Sequence, residues 1–189
     1  EHCSAAVLDK MGKPHIEAYL RFAKRYFDYT KQIGKEQYLV PYLMSSHPGS
    51  TLKVAGDLAQ FLKREKLRPE QVQDFYPTPG TISTCMFYTG LDPYTMETVY
   101  VARTPKEKAL QRALLQYFKP QNHALVEEAL RRAGRPDLIG NGANYLIRPQ
   151  AGVGKPGGSK RDLQNHQRGK RQNGQTKSGQ RGAKKARRP

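Results

Sequence analysis

Two short segments of this sequence carry polar side chains in patterns that can do chemistry. In Ser45-Ser46-His47-Pro48-Gly49-Ser50, hydroxyls and an imidazole stand just before a helical pattern. The N–H groups at a helix start attract a carboxylate, a phosphate or a ribose hydroxyl. From Gln73 to Gly80, the side chains of Gln73, Asp74, Tyr76 and Thr78 are set among Pro77 and Pro79. Prolines fix the backbone there and suit recognition by main-chain groups. Each segment also has a plainer reading, in which Ser50 caps, Gly49 turns and Pro48 stiffens, and the second loop is a rigid turn. His47 has no metal-type ligand beside it, and His2, His15, His123 and His166 are scattered, so no metal ligand is assigned. Cys3 and Cys85 read as ordinary thiols. The sequence contains no Walker loop, Rossmann glycine fingerprint, G-x-S-x-G or H-E-x-x-H. That argues against a self-contained hydrolase or nucleotide triphosphatase, and no catalytic residue is assigned.

The elements that must position these segments follow from hydrophobic spacing. Ser4 to Met11 reads as a short helix capped by Ser4 and stopped by Gly12 and Pro14. Ile16, Tyr19, Leu20, Ala23, Tyr26, Phe27 and Thr30 recur at three- and four-residue spacing, which predicts a buried helical stripe ended by Gly34. Tyr38 to Met44 runs apolar without alternating, as in a strand covered on both faces, although Pro41 gives up one ladder donor. A helix follows from about Thr51 to Arg64, then a strand candidate from Gln71 to Tyr76 and a helix-like stretch from Thr81 to Tyr88. This alternation predicts parallel α/β architecture, either a barrel segment or a doubly wound sheet. Ligands bind such folds at the loops after the strands, and both polar segments fall there.

Beyond Gly90 the character changes. Thr104, Pro105 and Glu107 form a capping box that opens a helix, and a second helix runs from roughly Pro120 to Ala133 with Arg131 and Arg132 in its last turn. The pair is expected to form an antiparallel hairpin appended to the α/β part. From Gly152 onward apolar residues are too few to offset the entropy of ordering, which predicts disorder. The chain has a formal charge of +17, and residues 150 to 189 hold 12 Lys and Arg against the single Asp162. Such a segment can contact RNA or another polyanion without sequence preference; its plainer role is a solubilising extension. No apolar run approaches a membrane span, and two cysteines do not make a disulfide framework, so a soluble, reducing compartment is expected. Nothing reads as a signal peptide, and a start at Glu1 without Met reads as a cut edge.

The stretches Gly34-Lys35-Glu36-Gln37-Tyr38-Leu39-Val40-Pro41-Tyr42, Ser45-Ser46-His47-Pro48-Gly49 and Val72-Gln73-Asp74-Phe75-Tyr76-Pro77-Thr78-Pro79-Gly80-Thr81 resemble the YgiQ family of radical SAM proteins. Supporting matches lie in Ser83-Thr84-Cys85-Met86, Tyr88-Thr89-Gly90-Leu91-Asp92-Pro93, the helix from Lys108 to Tyr117, and Asp137-Leu138-Ile139-Gly140. The resemblance covers about Glu1 to Pro149. It implies a cytoplasmic iron–sulfur enzyme with a partial β/α barrel. Residues 1–90 are then the C-terminal part of that barrel, 91–149 a small, mainly helical domain, and 150–189 a disordered basic tail. The family holds a 4Fe-4S cluster on a C-x-x-x-C-x-x-C loop, leaving one iron for S-adenosylmethionine. Neither Cys3 nor Cys85 matches that loop, so the resemblance implies a C-terminal fragment, inactive and cluster-free by itself.

By strand order, Glu1 and His2, then Ser45, Ser46 and His47, then Gln73, Phe75 and Thr78 are implied to face S-adenosylmethionine or substrate. The full-length enzyme would cleave S-adenosylmethionine to a 5′-deoxyadenosyl radical, act on an unknown substrate, and take electrons from a donor such as flavodoxin or ferredoxin. The alternative is a non-catalytic binding module that contacts RNA or another polyanion through its tail.

Overall fold

The structure is a computed structural model that describes residues 1–149. The basic segment 150–189, with its expected disorder and polyanion contact, lies outside the described residues. In chain order the elements are α1 (Ala5–Lys10), α2 (Ile16–Gln32), β1 (Met44–Ser45), α3 (Leu52–Arg64), β2 (Gln73–Asp74), α4 (Ile82–Thr89), α5 (Pro105–Leu115) and α6 (His123–Arg132). Single 3-10 turns lie at Pro120–Asn122 and Pro136–Leu138.

The core is helical. Ala55, Leu58, Ala59 and Leu62 of α3 are buried as their spacing predicts, and they pack with Leu110, Ala113 and Leu114 of α5 and Val126, Ala129 and Leu130 of α6. Each fully buried leucine contributes roughly 1.5–3 kcal/mol relative to an exposed one. The helix starts are fixed by local chemistry. Glu107 N–H donates to Thr104 Oγ1 at 3.2 Å while Thr104 N–H donates to Glu107 Oε2 at 3.0 Å, which completes the expected capping box of α5. At α3 the cap is Thr51, whose Oγ1 accepts from Val54 N–H at 3.3 Å. Ser50 does not cap; it is buried in the preceding loop.

β1 and β2 are parallel neighbours with Met44 opposite Gln73 and Ser45 opposite Asp74. Flanking bonds from Gln73 N–H to Leu43 C=O (3.2 Å) and from Phe75 N–H to Ser45 C=O (2.8 Å) extend the ladder by one step each way. On the other side of β1, Met44 N–H points to Glu1 C=O at 3.4 Å, so the chain start lies alongside this strand. The described residues are therefore helix-rich with one short parallel sheet, and among them no barrel is formed.

Three expectations are corrected. The strand predicted over Tyr38–Met44 shrinks to Met44–Ser45, and Tyr38 and Val40 are 73% and 89% exposed instead of covered on both faces. Pro41 has no N–H to pair, and an extended segment becomes a strand only where a neighbour supplies ladder partners. The strand predicted over Gln71–Tyr76 likewise narrows to Gln73–Asp74. The predicted stripe of α2 is also largely unburied. Thr30 is its one buried residue, and Phe27 is 47% exposed. With no sheet beside it over residues 35–43, the helix borders an apolar cleft of about 400 Å³ shared with Pro41, Leu43, Leu58 and Phe61.

Candidate functional site

The loop from Ser46 to Ser50 leaves β1 and enters α3, and its shape is set by bonds to residues far away in sequence. Ser46 has φ 62°, in the left-handed region where a residue with a Cβ is strained. Its N–H donates to Gln111 Oε1 at 3.1 Å, and Gln111 Nε2 donates to Ser50 C=O at 2.6 Å, so one fully buried side chain of α5 bridges both ends of the loop. Within it, Ser50 N–H donates to His47 C=O at 2.9 Å, and Gly49 N–H reaches Tyr100 C=O at 2.8 Å. Gly49 has φ 90°, a conformation that strains any residue with a Cβ and favours glycine.

His47 is buried at the centre. Its Nδ1–H donates to Pro48 C=O at 2.8 Å, which leaves Nε2 to accept the Ser83 hydroxyl of α4, also at 2.8 Å. The Phe75 ring stands edge-on to the imidazole at 5.1 Å. Burial lowers the His47 pKa below its ordinary value, opposed by the Pro48 carbonyl and the Glu1 carboxylate. His2 is buried too. Its Nδ1 accepts from Ser4 N–H at 3.0 Å, and burial first, then nearby positive groups including His47, bring its pKa down to about 4. Both imidazoles are therefore neutral near pH 7. Beside them, Asp74 accepts from the Ser45 hydroxyl and from Arg112 Nη1 at 2.9 Å.

Six of the eight residues assigned from sequence thus lie around one strand end. Ser45, Ser46, His47 and Phe75 are joined through β1, β2 and the ring contact, and Glu1 and His2 lie next to β1. The other two point elsewhere. Gln73 is exposed and accepts from the Tyr42 hydroxyl, and Thr78 is exposed in the turn before α4, where its carbonyl accepts from the Thr81 and Thr84 hydroxyls. Gln73 is instead engaged by the exposed Tyr42, and Thr78 lies in the proline-bounded turn that leaves β2 for α4. Of the eight, Glu1 and His2 alone line the apolar cleft beside α2.

Sequence reasoning missed Gln111, Arg112 and Ser83. A signal existed for Gln111, which stands three and four residues before the buried Leu114 and Leu115 and so shares their inward side.

Residues 70–189 match a family described as a domain of unknown function, DUF3362. The chain belongs to the DUF3362 family. It is also 52% identical over 181 residues to a UPF0313 protein of Clostridium perfringens (strain 13 / Type A), covering 96% of this chain and 27% of that protein. A UPF0313 protein of Clostridium botulinum (strain 657 / Type Ba4) is 58% identical over 147 residues, covering 78% of this chain and 23% of the relative. UPF0313 is the YgiQ family of the sequence resemblance. The chain spans about a quarter of the length of these relatives. No solved structure matches it.

The DUF3362 match begins after α3, so the Ser46–Ser50 loop precedes it while Gln111, Arg112 and Ser83 lie inside it. The donor set decides which groups the residues fit. Among the described residues, three buried side-chain polar atoms lack a hydrogen-bond partner: His2 Nε2, Ser46 Oγ and, at the start of α6, His123 Nδ1. Leaving such a group unpaired costs about 1–3 kcal/mol, and the first two, beside and just after β1, suit a small polar ligand. An iron–sulfur cluster does not fit. Cys85 is exposed on α4, the Cys3 thiol is pushed up to about 11 by burial, and no group of three or more His, Cys, Asp or Glu is placed to hold a metal ion among the described residues. No described helix is long and apolar enough to cross a membrane.

Proposed function

We propose that the natural protein carrying this sequence is a radical S-adenosylmethionine enzyme, and that this chain contributes the polar strand-end loops that face S-adenosylmethionine or substrate. The observation that carries the reading is two buried polar atoms without a partner, His2 Nε2 in the segment beside β1 and Ser46 Oγ just after β1. Kinship with UPF0313 proteins about four times as long supports it, because a cluster loop then has room elsewhere in the protein. Reductive cleavage of S-adenosylmethionine to methionine and a 5′-deoxyadenosyl radical is the chemistry the cluster supplies when bound.

The residues of this chain have quieter tasks. The neutral His2 keeps an N–H free on Nε2 to donate, and Ser46 Oγ can donate or accept. His47, locked by Pro48 and Ser83 and walled by Phe75, excludes water from the loop's inner side. The enzyme is assigned to the cytoplasm, with a small ferredoxin- or flavodoxin-type electron donor as partner. The basic segment 150–189 favours an added contact with RNA or another polyanion.

The test is anaerobic reconstitution of the natural protein with iron and sulfide, followed by dithionite and S-adenosylmethionine. Formation of a cluster and release of 5′-deoxyadenosine and methionine are expected. A protein that assembles no cluster, or that assembles one and leaves S-adenosylmethionine intact, refutes the reading.

A further inference from the structure

We infer that helix α5, inside the DUF3362 match, serves as a brace, with its Gln111 and Arg112 as positioning residues that hold the strand-end loops of β1 and β2 in ligand-ready shape. This goes beyond the enzymatic reading, since it assigns a task to the helical region whatever ligand the loops receive. Three contacts carry it. Gln111 is fully buried, yet both halves of its amide serve the Ser46–Ser50 loop, through Ser46 N–H at 3.1 Å and Ser50 C=O at 2.6 Å. The next residue, Arg112, holds Asp74 at 2.9 Å, and Asp74 in turn accepts from Ser45, so the ends of both strands are tied to one turn of α5. At the end of the same helix, Gln116 Nε2 donates to Glu70 C=O at 2.7 Å and fixes the approach to β2.

The Ser46 backbone explains why a brace is needed. A serine at φ 62° relaxes toward negative φ unless its surroundings hold it, and the Gln111 acceptor on its N–H is the restraint nearest the strain. A buried glutamine amid Leu110, Ala113 and Leu114 is otherwise an expensive choice, because any aliphatic residue of its volume would fill the same space without an amide to satisfy.

The test is hydrogen–deuterium exchange on the natural protein, comparing the wild type with Gln111→Met, which keeps the volume and removes the amide. Exchange over residues 44–51 should quicken about tenfold, the loss expected for a bridging pair of hydrogen bonds, while α3 and α6 change less than about twofold. Placing Ser46→Gly in the Gln111→Met background should bring that gain down to about threefold or less, since glycine takes positive φ without strain. Unchanged exchange over 44–51 overturns the proposal. So does a parallel rise in α3 and α6, or a gain that Ser46→Gly fails to reduce, because either makes Gln111 an ordinary core residue.

Should Gln111→Met not fold, Arg112→Ala at a half-exposed position is read over residues 73–76, where exchange should rise and an unchanged rate overturns the brace. Equilibrium dialysis with S-adenosylmethionine separates this inference from the enzymatic one. The reconstituted wild type should bind it, and Gln111→Met should bind about tenfold more weakly. A wild type that takes up none refutes the enzymatic reading and leaves the brace to be decided by exchange.

Discussion

Acidification should weaken the fold through His2, by an amount that the structure sets. His2 has a pKa of about 4 in the fold against 6.5 as its ordinary value, with burial the leading cause. Between those values the unfolded chain binds a proton that the folded chain refuses, so the unfolded state gains as pH falls. The contribution of His2 is fully present above 6.5 and is lost progressively toward 4. At about 1.4 kcal/mol per pKa unit the complete loss is about 3 kcal/mol, and from about pH 7 to about pH 5 it is about 2 kcal/mol. Urea unfolding across that range checks it. His47, also lowered by burial, adds a drop of the same sign. The deciding variant is His2→Asn, whose side-chain oxygen can still accept from Ser4 N–H but cannot titrate. Its stability should fall by about 2 kcal/mol less than the wild type's over the same range. An equal fall in both would refute the assignment of a buried, neutral imidazole at this position.

Two further outcomes test other parts of the structure. Leu130→Ala, at the fully buried meeting of α3, α5 and α6, should cost about 2–5 kcal/mol in urea unfolding, with a smaller value meaning that the helices can close over the gap. Alkylation by iodoacetamide, followed by mass spectrometry, should label the exposed Cys85 before Cys3, whose thiol is pushed up to about 11; the opposite order would contradict the burial of residue 3.

What the sequence made legible was the chemistry that stays local. The capping box at Thr104 and Glu107, the inward side of α3, and the breaks at Gly34 and Gly134 depend on residues within a turn or two of each other. Burial and strand length depend on remote partners, and there local reading failed. The apolar run from Tyr38 to Met44 has the composition of a covered strand, yet its pairing ends where β2 ends. The apolar residues of α2 have helical spacing, but no sheet stands beside them. In the candidate site, the fold brings the residues of the first loop near Phe75 and the chain start. Gln73 and Thr78 are exposed and bonded to Tyr42 and Thr84, because order along a chain does not say which way a side chain or a proline-bounded turn will face.

The same contrast bears on why a helical domain would accompany polar strand ends at all. A parallel pair of two-residue strands has little stability of its own, and a loop with a serine at φ 62° adds strain to it. The restoring interactions come from α5, where a buried amide reaches back 65 positions to Ser46 and a guanidinium reaches back 38 positions to Asp74. Cutting the chain between α4 and α5 would leave β1 and β2 with their sequence intact but without the groups that hold Ser46 and Asp74. The strand-end loops and the helical region then stand or fall together. Helices α3, α5 and α6 share one core, and the strained Ser46 loop is held at its edge by α5.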